Sequence, residues 1–249
     1  MSRVVIIAAM EREVQPLVRG WERGSISDGP RSFTAFASGE RVVVISGIGR
    51  GHAEAAVRLA ISKYRPAELI SAGLAGALIR SLKAGSVFTP NVVVDAADGS
   101  EYRCAAQAGG VVGGGVLVSA AEISGVEAKQ KLVEQFHGLV VDMEAAAVGR
   151  VAQEAGIGFR CVKAISDEAD FAMLPLGKFV DAAGSFQPGK FAAWAVVRPW
   201  QWARVMKLGR NTSKAVSALC EWLKKKVCVN AGSAEVVRLE RAELQGERR

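Results

Sequence analysis

Arg3-Val4-Val5-Ile6-Ile7-Ala8-Ala9 runs directly into Met10-Glu11-Arg12-Glu13, and this junction decides the fold. The first stretch is β-branched and apolar without alternation, the pattern of a buried strand. A helical stretch from Glu11 to about Arg19 follows at once. Outward from there, short apolar runs and helical periods keep exchanging. Phe33–Ala37 and Arg41–Ser46 read as a hairpin turning at Ser38-Gly39-Glu40. Gly47-Ile48-Gly49-Arg50-Gly51 opens a helix to about Tyr64, closed by Pro66. Leu69–Ala72 is a second buried strand ending in Gly73-Leu74-Ala75-Gly76, and Val87–Asp95 is a long strand. A glycine-heavy turn, Gly109–Gly115, precedes the short strand Val116–Ser119. A helix over Gly125–Phe136, a strand over Leu139–Val141, a helix over Asp142–Ala155 and a strand over Phe159–Ser166 complete the series. Such alternation predicts an α/β layered fold with a mostly parallel or mixed sheet.

Beyond Asp170 the pattern changes. Phe171–Gly189 reads as a loop with at most one short helix, Phe191–Val197 is apolar, and Pro199 suits the first turn of a further helix. In that helix Trp202, Val205, Met206, Gly209, Val216, Leu219 and Leu223 share one face, and Arg204, Lys207, Arg210, Lys214 and Glu221 the other. One domain over residues 1–228 is expected, with a core of 1–170, an amphipathic helical extension over 186–228 and a flexible tail over 229–249.

The 249 residues are half apolar and 23% charged, which excludes disordered, collagenous and coiled-coil classes. No apolar run reaches the roughly 18 residues of a spanning helix. The N-terminal apolar stretch meets Glu11-Arg12-Glu13 where a signal peptide would carry its cleavage site, so a cytoplasmic protein is expected. Cys104, Cys161, Cys220 and Cys228 are far apart, which argues for reduced thiols. His52 and His137 lie near no cysteine or carboxylate at ligand spacing, so no metal and no cofactor are expected.

Charge is uneven. Residues 1–185 carry 19 basic against 20 acidic side chains, and residues 186–249 carry 13 against 5. No nucleic-acid-reading motif accompanies the basic segment, so a nucleic-acid partner is not expected. That segment holds four of the five tryptophans, Trp194, Trp200, Trp202 and Trp222. Tryptophan interleaved with basic residues on an amphipathic helix points to a membrane surface or an amphiphilic ligand, with contact through 191–226. The ordinary alternative is a helix that covers the sheet or meets a second subunit.

Four stretches stand at the ends of expected strands, where α/β enzymes bind ligands. They are Ala8–Glu13, Ser46–Gly51, Gly73–Leu78, and the pair Val141-Asp142-Met143-Glu144-Ala145 with Ala164-Ile165-Ser166-Asp167. In this order and spacing the set resembles the nucleoside phosphorylase/nucleosidase superfamily, most nearly the 5′-methylthioadenosine/S-adenosylhomocysteine nucleosidases. The resemblance covers about residues 3–170. It implies a phosphorylase/hydrolase-like fold, a three-layer α/β/α sandwich with a central mixed twisted sheet, together with a homodimer and cleavage of a purine N-glycosidic bond. The reaction passes through an oxocarbenium-like sugar and needs an acid for the leaving base and an activated water.

By the resemblance, Asp167 is the general acid to purine N7, with burial at a strand end holding its proton, and Ser166 orients it. Glu13 activates water, Glu144 binds the ribose hydroxyls, and Met143 packs against the sugar. Met10 and Ile48 line the 5′ side. Taken singly, Glu13 is also an ordinary first-turn carboxylate, Asp167 a turn or cap residue and Glu144 a helix-face charge. Where the phosphorylases carry a phosphate-binding arginine and a serine, this chain has Ser71 and Leu74, and it lacks their early phosphate loop. Water is therefore favoured as nucleophile. Arg50, at a glycine-rich helix start, is the phosphate residue if the reaction is phosphorolytic. Ser119-Ala120-Ala121-Glu122-Ile123 stands where the nucleosidases carry an aromatic that stacks on adenine, which leaves Ile123 for that place. The basic, tryptophan-rich C-terminal segment resembles the hopanoid-associated branch, which removes adenine from an adenosyl-triterpenoid. A non-catalytic nucleoside-binding protein on the same fold is the reading of a different class.

Overall fold

The computed structural model of the chain describes residues 3–29, 31–105, 114–122 and 125–228. The opening run forms strand β1 (Val4–Ala8) and leads into helix α1 (Glu11–Val18). Three strands follow, β2 (Glu22–Asp28), β3 (Arg31–Ser38) and β4 (Arg41–Ile45), then helix α2 (Arg50–Tyr64) and strand β5 (Glu68–Ala77). Next come β6 (Val87–Phe88), β7 (Val92–Asp95), β8 (Glu101–Arg103) and β9 (Val116–Ser119). Helix α3 (Val126–Phe136), strand β10 (Gly138–Asp142), helix α4 (Ala145–Glu154) and strand β11 (Gly158–Asp167) complete the sheet. A 3-10 turn at Leu176–Phe179 precedes helices α5 (Pro188–Val196) and α6 (Trp202–Leu223).

The strands form one mixed sheet in the order β2-β3-β4-β1-β5-β10-β9-β7-β8, with β11 paired to β5 and β6. Strand β1 lies parallel to β4 and β5, and β11 parallel to β5. The end of β5 then pairs antiparallel with β10, which joins the second parallel set β10, β9 and β7. Strand β1 explains the layers. Val5 and Ile7 pack with Ala53, Ala56, Val57 and Ala60 of α2 and with the alanine-rich face of α4. Ile6 and Ala8 point the other way, to Val14 and Leu17 of α1 and Leu219 and Leu223 of α6. Full burial of each valine, leucine or isoleucine among them contributes about 1.5–3 kcal/mol.

Several elements differ from the sequence expectation. Strand β2 was not expected: it is a polar edge strand, with only Ile26 buried, and so lacks an apolar period. Strand β8, three residues with only Tyr102 buried, is hidden for the same reason. The expected long strand Val87–Asp95 is two strands, because Pro90 between them has no N–H for a ladder. Strand β5 does not stop at Ala72 but runs through its glycines, because β11 and β10 supply ladder partners there. Asp142 belongs to the end of β10 and not to the helix after it.

The expected single apolar face of the last helix splits lengthwise. Only the second half of α6 lies on the sheet, where Ala215, Leu219, Cys220, Trp222 and Leu223 are buried. The first half projects beyond the core, leaving Trp202 50% and Met206 60% exposed. Among the described residues no helix is long and apolar enough to cross a membrane.

Candidate active site

The C-terminal ends of β1, β5, β10 and β11 open together into a pocket of about 400 Å³. Its floor is polar. Glu13, in the first turn of α1, is buried, and its Oε2 accepts the Met10 N–H at 3.3 Å. Burial raises its proton affinity, while Lys163, the N–H groups of Met10 and Leu74, and Arg12 oppose the rise. Glu144 stands at the N-terminus of α4, where its Oε1 accepts the Gly49 N–H at 2.8 Å. Gly49 has φ +101°, a conformation other residues rarely adopt, and this aims its N–H at the carboxylate. Burial pushes the Glu144 carboxyl up to about 7; neighbouring Asp142 and Glu13 add to the rise, and Lys163 and the Gly49 N–H oppose it.

Lys163 of β11 ties these acids together. Its Nζ lies 2.8 Å from Oδ2 of Asp142. Burial disfavours its charge, yet Asp142, Cys161 and Glu144 outweigh that cost and hold the ammonium above the usual lysine range. Asp142 is fixed in turn: Oδ2 accepts the Ala145 N–H at 2.9 Å and Oδ1 the Ser119 hydroxyl, whose oxygen accepts the Ala146 N–H.

Three residues further along β5, against Gly76, stands Asp167. The register of β11 against β5 shifts between Ile165 and Asp167, and such a bulge re-aims side chains. Ser166 donates its hydroxyl to Oδ1 of Asp167 at 2.9 Å. Oδ2 takes a hydrogen bond at 2.5 Å from Nζ of Lys129, a buried side chain of α3. The expectation that burial alone holds a proton on Asp167 thus meets a cation at the carboxylate itself.

Met10, Ile48 and Met143 line the same pocket. Ile123 lies outside the described residues. Arg50 is engaged elsewhere: its Nη1 is 2.7 Å from Oδ2 of buried Asp95. Ser71 is buried within β5, and Leu74 lines the pocket. The outer wall comes from residues after 170 and is apolar, including Met173, Leu176, Phe186, Phe191, Val205 and Leu208. Phe191 stacks on Trp194, and Arg12 lies over the Phe186 ring. Among the described residues no group of three or more His, Cys, Asp or Glu side chains has the placement to hold a metal. Sequence reasoning missed Lys163 and Lys129. A lysine inside the apolar run Phe159–Ser166 was a signal for the first; nothing on the polar helix α3 singled out the second.

A largely apolar pocket with converging carboxylates at the strand ends of a mixed sheet defines an α/β protein built for a small molecule. The phosphorylase superfamily profile matches residues 3–110 and 103–187, and the chain belongs to that superfamily. A 5′-methylthioadenosine/S-adenosylhomocysteine nucleosidase of Staphylococcus aureus is 30% identical to it, over 66% of this chain and 86% of the relative. Solved structures are similar in fold. A Neisseria meningitidis enzyme of the same name, in complex with methylthio-immucillin-A, superposes with a TM-score of 0.69 at 20% identity, covering 91% of this chain and 99% of that one. A Helicobacter pylori nucleosidase mutant with 5′-methylthioadenosine in its active site gives 0.68 at 19% identity, over 91% and 98%. Futalosine hydrolase of H. pylori gives 0.66 at 19%, over 91% and 97%.

Proposed function

We propose that this protein hydrolyses the N-glycosidic bond of a purine nucleoside, an adenosine carrying a 5′ substituent, and releases the free base. One observation carries the reading: Glu13 and Asp167 stand against two glycines of one strand. A Cβ at Gly73 would lie 3.2 Å from Oε2 of Glu13, and one at Gly76 2.7 Å from Oδ2 of Asp167. Three residues of strand span roughly 10 Å. That leaves room for a ribose and a water between base-side acid and water-side base.

In this reading Asp167, oriented by Ser166, protonates N7 as the bond from C1′ to N9 breaks. Glu13 takes the proton of the attacking water. Glu144 accepts the ribose hydroxyls, Met143 packs on the sugar, and Met10 and Ile48 line the 5′ side. Lys163 keeps Glu13 and Glu144 from being neutralised together. The pairing of Arg50 with Asp95 favours water over phosphate as nucleophile.

The apolar outer wall suits a bulky apolar 5′ substituent, as on a lipid-linked adenosine. Beside it Val196, Val197, Trp200, Trp202 and Met206 are half or more exposed, interleaved with Arg198, Arg204, Lys207 and Arg210. This surface fits an anionic bilayer, whereas docking it on its own copy would set like charges together. Co-sedimentation with vesicles is expected to rise with anionic lipid content. No binding to any vesicle would sink the membrane contact. Homodimerisation follows from the resemblance, and light scattering tests it.

The decisive assay is chromatography of adenine released from adenosine, 5′-methylthioadenosine and S-adenosylhomocysteine, with and without phosphate. Release without phosphate is expected. Release only with phosphate would make the protein a phosphorylase and move attention to Arg50. Silence on these and on a detergent-presented lipid nucleoside would leave a binding protein.

A further inference from the structure

Lys129 has no part in the reaction as written, yet it is 2% exposed and reaches the carboxylate that matters most. Its Nζ donates to Oδ2 of Asp167 at 2.5 Å and to the Glu168 carbonyl at 3.0 Å. A Cβ at Gly76 would lie 3.2 Å from that nitrogen as well as 2.7 Å from Oδ2, so glycine is what lets the pair sit against β5. Opposite charges this close, both withdrawn from water, stabilise each other as ions. Asp167 is then a carboxylate before substrate enters, with the useful proton on nitrogen. A carboxylate has nothing to donate to a leaving base.

Resting on the general-acid reading above, we propose that Lys129 is the proton reservoir of this site, a positioning residue that acts through Asp167. As the bond from C1′ to N9 breaks, its electron pair stays on the purine and N7 takes a proton from Asp167. Oδ2 of Asp167 takes one from Nζ. Asp167 ends as it began, Lys129 ends as a neutral amine, and the proton that Glu13 removes from water balances the count through solvent. Other charged groups around the pair are Arg12 and Glu13 of α1, Glu122 before α3, and Asp142, Glu144 and Lys163 beyond. Glu168 directs its carboxylate to Lys207 of α6 at 3.5 Å. All of these stay constant when only Lys129 changes.

The test is the pH dependence of kcat for adenine release from 5′-methylthioadenosine, in wild type, Lys129→Met, Lys129→Arg, Asp167→Asn and the double variant Asp167→Asn/Lys129→Met. Wild type is expected to stay active into the alkaline range where ammonium groups keep their protons. In Lys129→Met a carboxyl must store the proton, and carboxyls hold one only at lower pH. Its alkaline limb should fall at least one pH unit earlier, with kcat at pH 8 down about 10²-fold. Lys129→Arg keeps the charge but cannot give its proton up, so its kcat should stay low across the pH range. The double variant should be no slower than Asp167→Asn, because Lys129 acts only through Asp167. An unshifted limb in Lys129→Met, or a double variant slower by the full Lys129→Met factor, overturns the proposal. If Lys129→Met does not melt cooperatively, wild-type kcat with an unshifted limb in the still-charged Lys129→Arg overturns it instead. Undiminished turnover by Asp167→Asn would sink the general-acid reading itself. An inactive Asp167→Asn beside an unshifted Lys129→Met sinks only the part given to Lys129.

Discussion

The two ends of the pocket, three residues apart along strand β5, hold their carboxylates under different electrostatic regimes. Against Gly76, Asp167 has one ammonium to itself, that of Lys129. Against Gly73, Glu13, Glu144 and Asp142 share the single ammonium of Lys163, which lies closest to Asp142. One end is balanced and the other has an excess of negative charge; burial, with Asp142 and Glu13 adding to it, pushes Glu144 up to about 7, and burial raises Glu13 as well. The difference suits two opposite tasks. A site with surplus carboxylate binds hydroxyls and accepts a proton from water. A carboxylate paired with a cation can pass a proton on without changing its own charge.

Four changes would break or sharpen this contrast. The largest effect is expected from Asp167→Asn, which removes the route to the leaving base and should lower kcat for adenine release about 10³-fold in steady-state assays. Next is Lys163→Met, which strands several acids in a buried site. Urea unfolding should show a loss of about 3–5 kcal/mol, partly recovered by adding Asp142→Asn. A loss below 1 kcal/mol would mean that the acid-rich end is already neutral. Glu13→Gln should cost about 10²-fold in kcat. Because Glu13 works as a base only when ionised, and its proton affinity is raised, wild-type activity should fall on the acid side. Stopped assays from pH 5 to 8 would show it.

The smallest effect concerns Glu144. Its folded carboxyl titrates near 7 and its free one near 4.5, so the native state binds more protons between those values. Stability from this group is therefore present at low pH and declines as pH rises toward and through 7. Melting temperatures measured over that range should decline less in Glu144→Gln than in wild type. Parallel profiles would place the surplus charge elsewhere.

Helix α6 shows how far a sequence pattern reaches. Its apolar face was legible as a stripe, yet the stripe meets three surroundings in turn. Trp202 and Met206 meet solvent, Val205 the pocket, and Leu219 and Leu223 the core. Periodicity reports which side chains share a side of a helix and says nothing of where the sheet beneath it ends. The polar edge strands β2 and β8 were silent for the converse reason: their partners are backbone groups, and too few of their side chains are buried to mark a period.

By itself the sequence determined the α/β alternation, the strand ends at which a ligand site belongs, and the acidic residues standing there. Each of these is written in local spacing, because a residue's burial depends on the period of its own element. Only the tertiary structure decided the charges those acids carry. Lys129 and Asp167 are 38 residues apart, and Gly49 and Glu144 are 95 apart. A proton's position in a buried cluster depends on distances of 2.5–3 Å between such partners, and it is the register and bulges of the sheet, with the close approach allowed by two glycines, that set those distances.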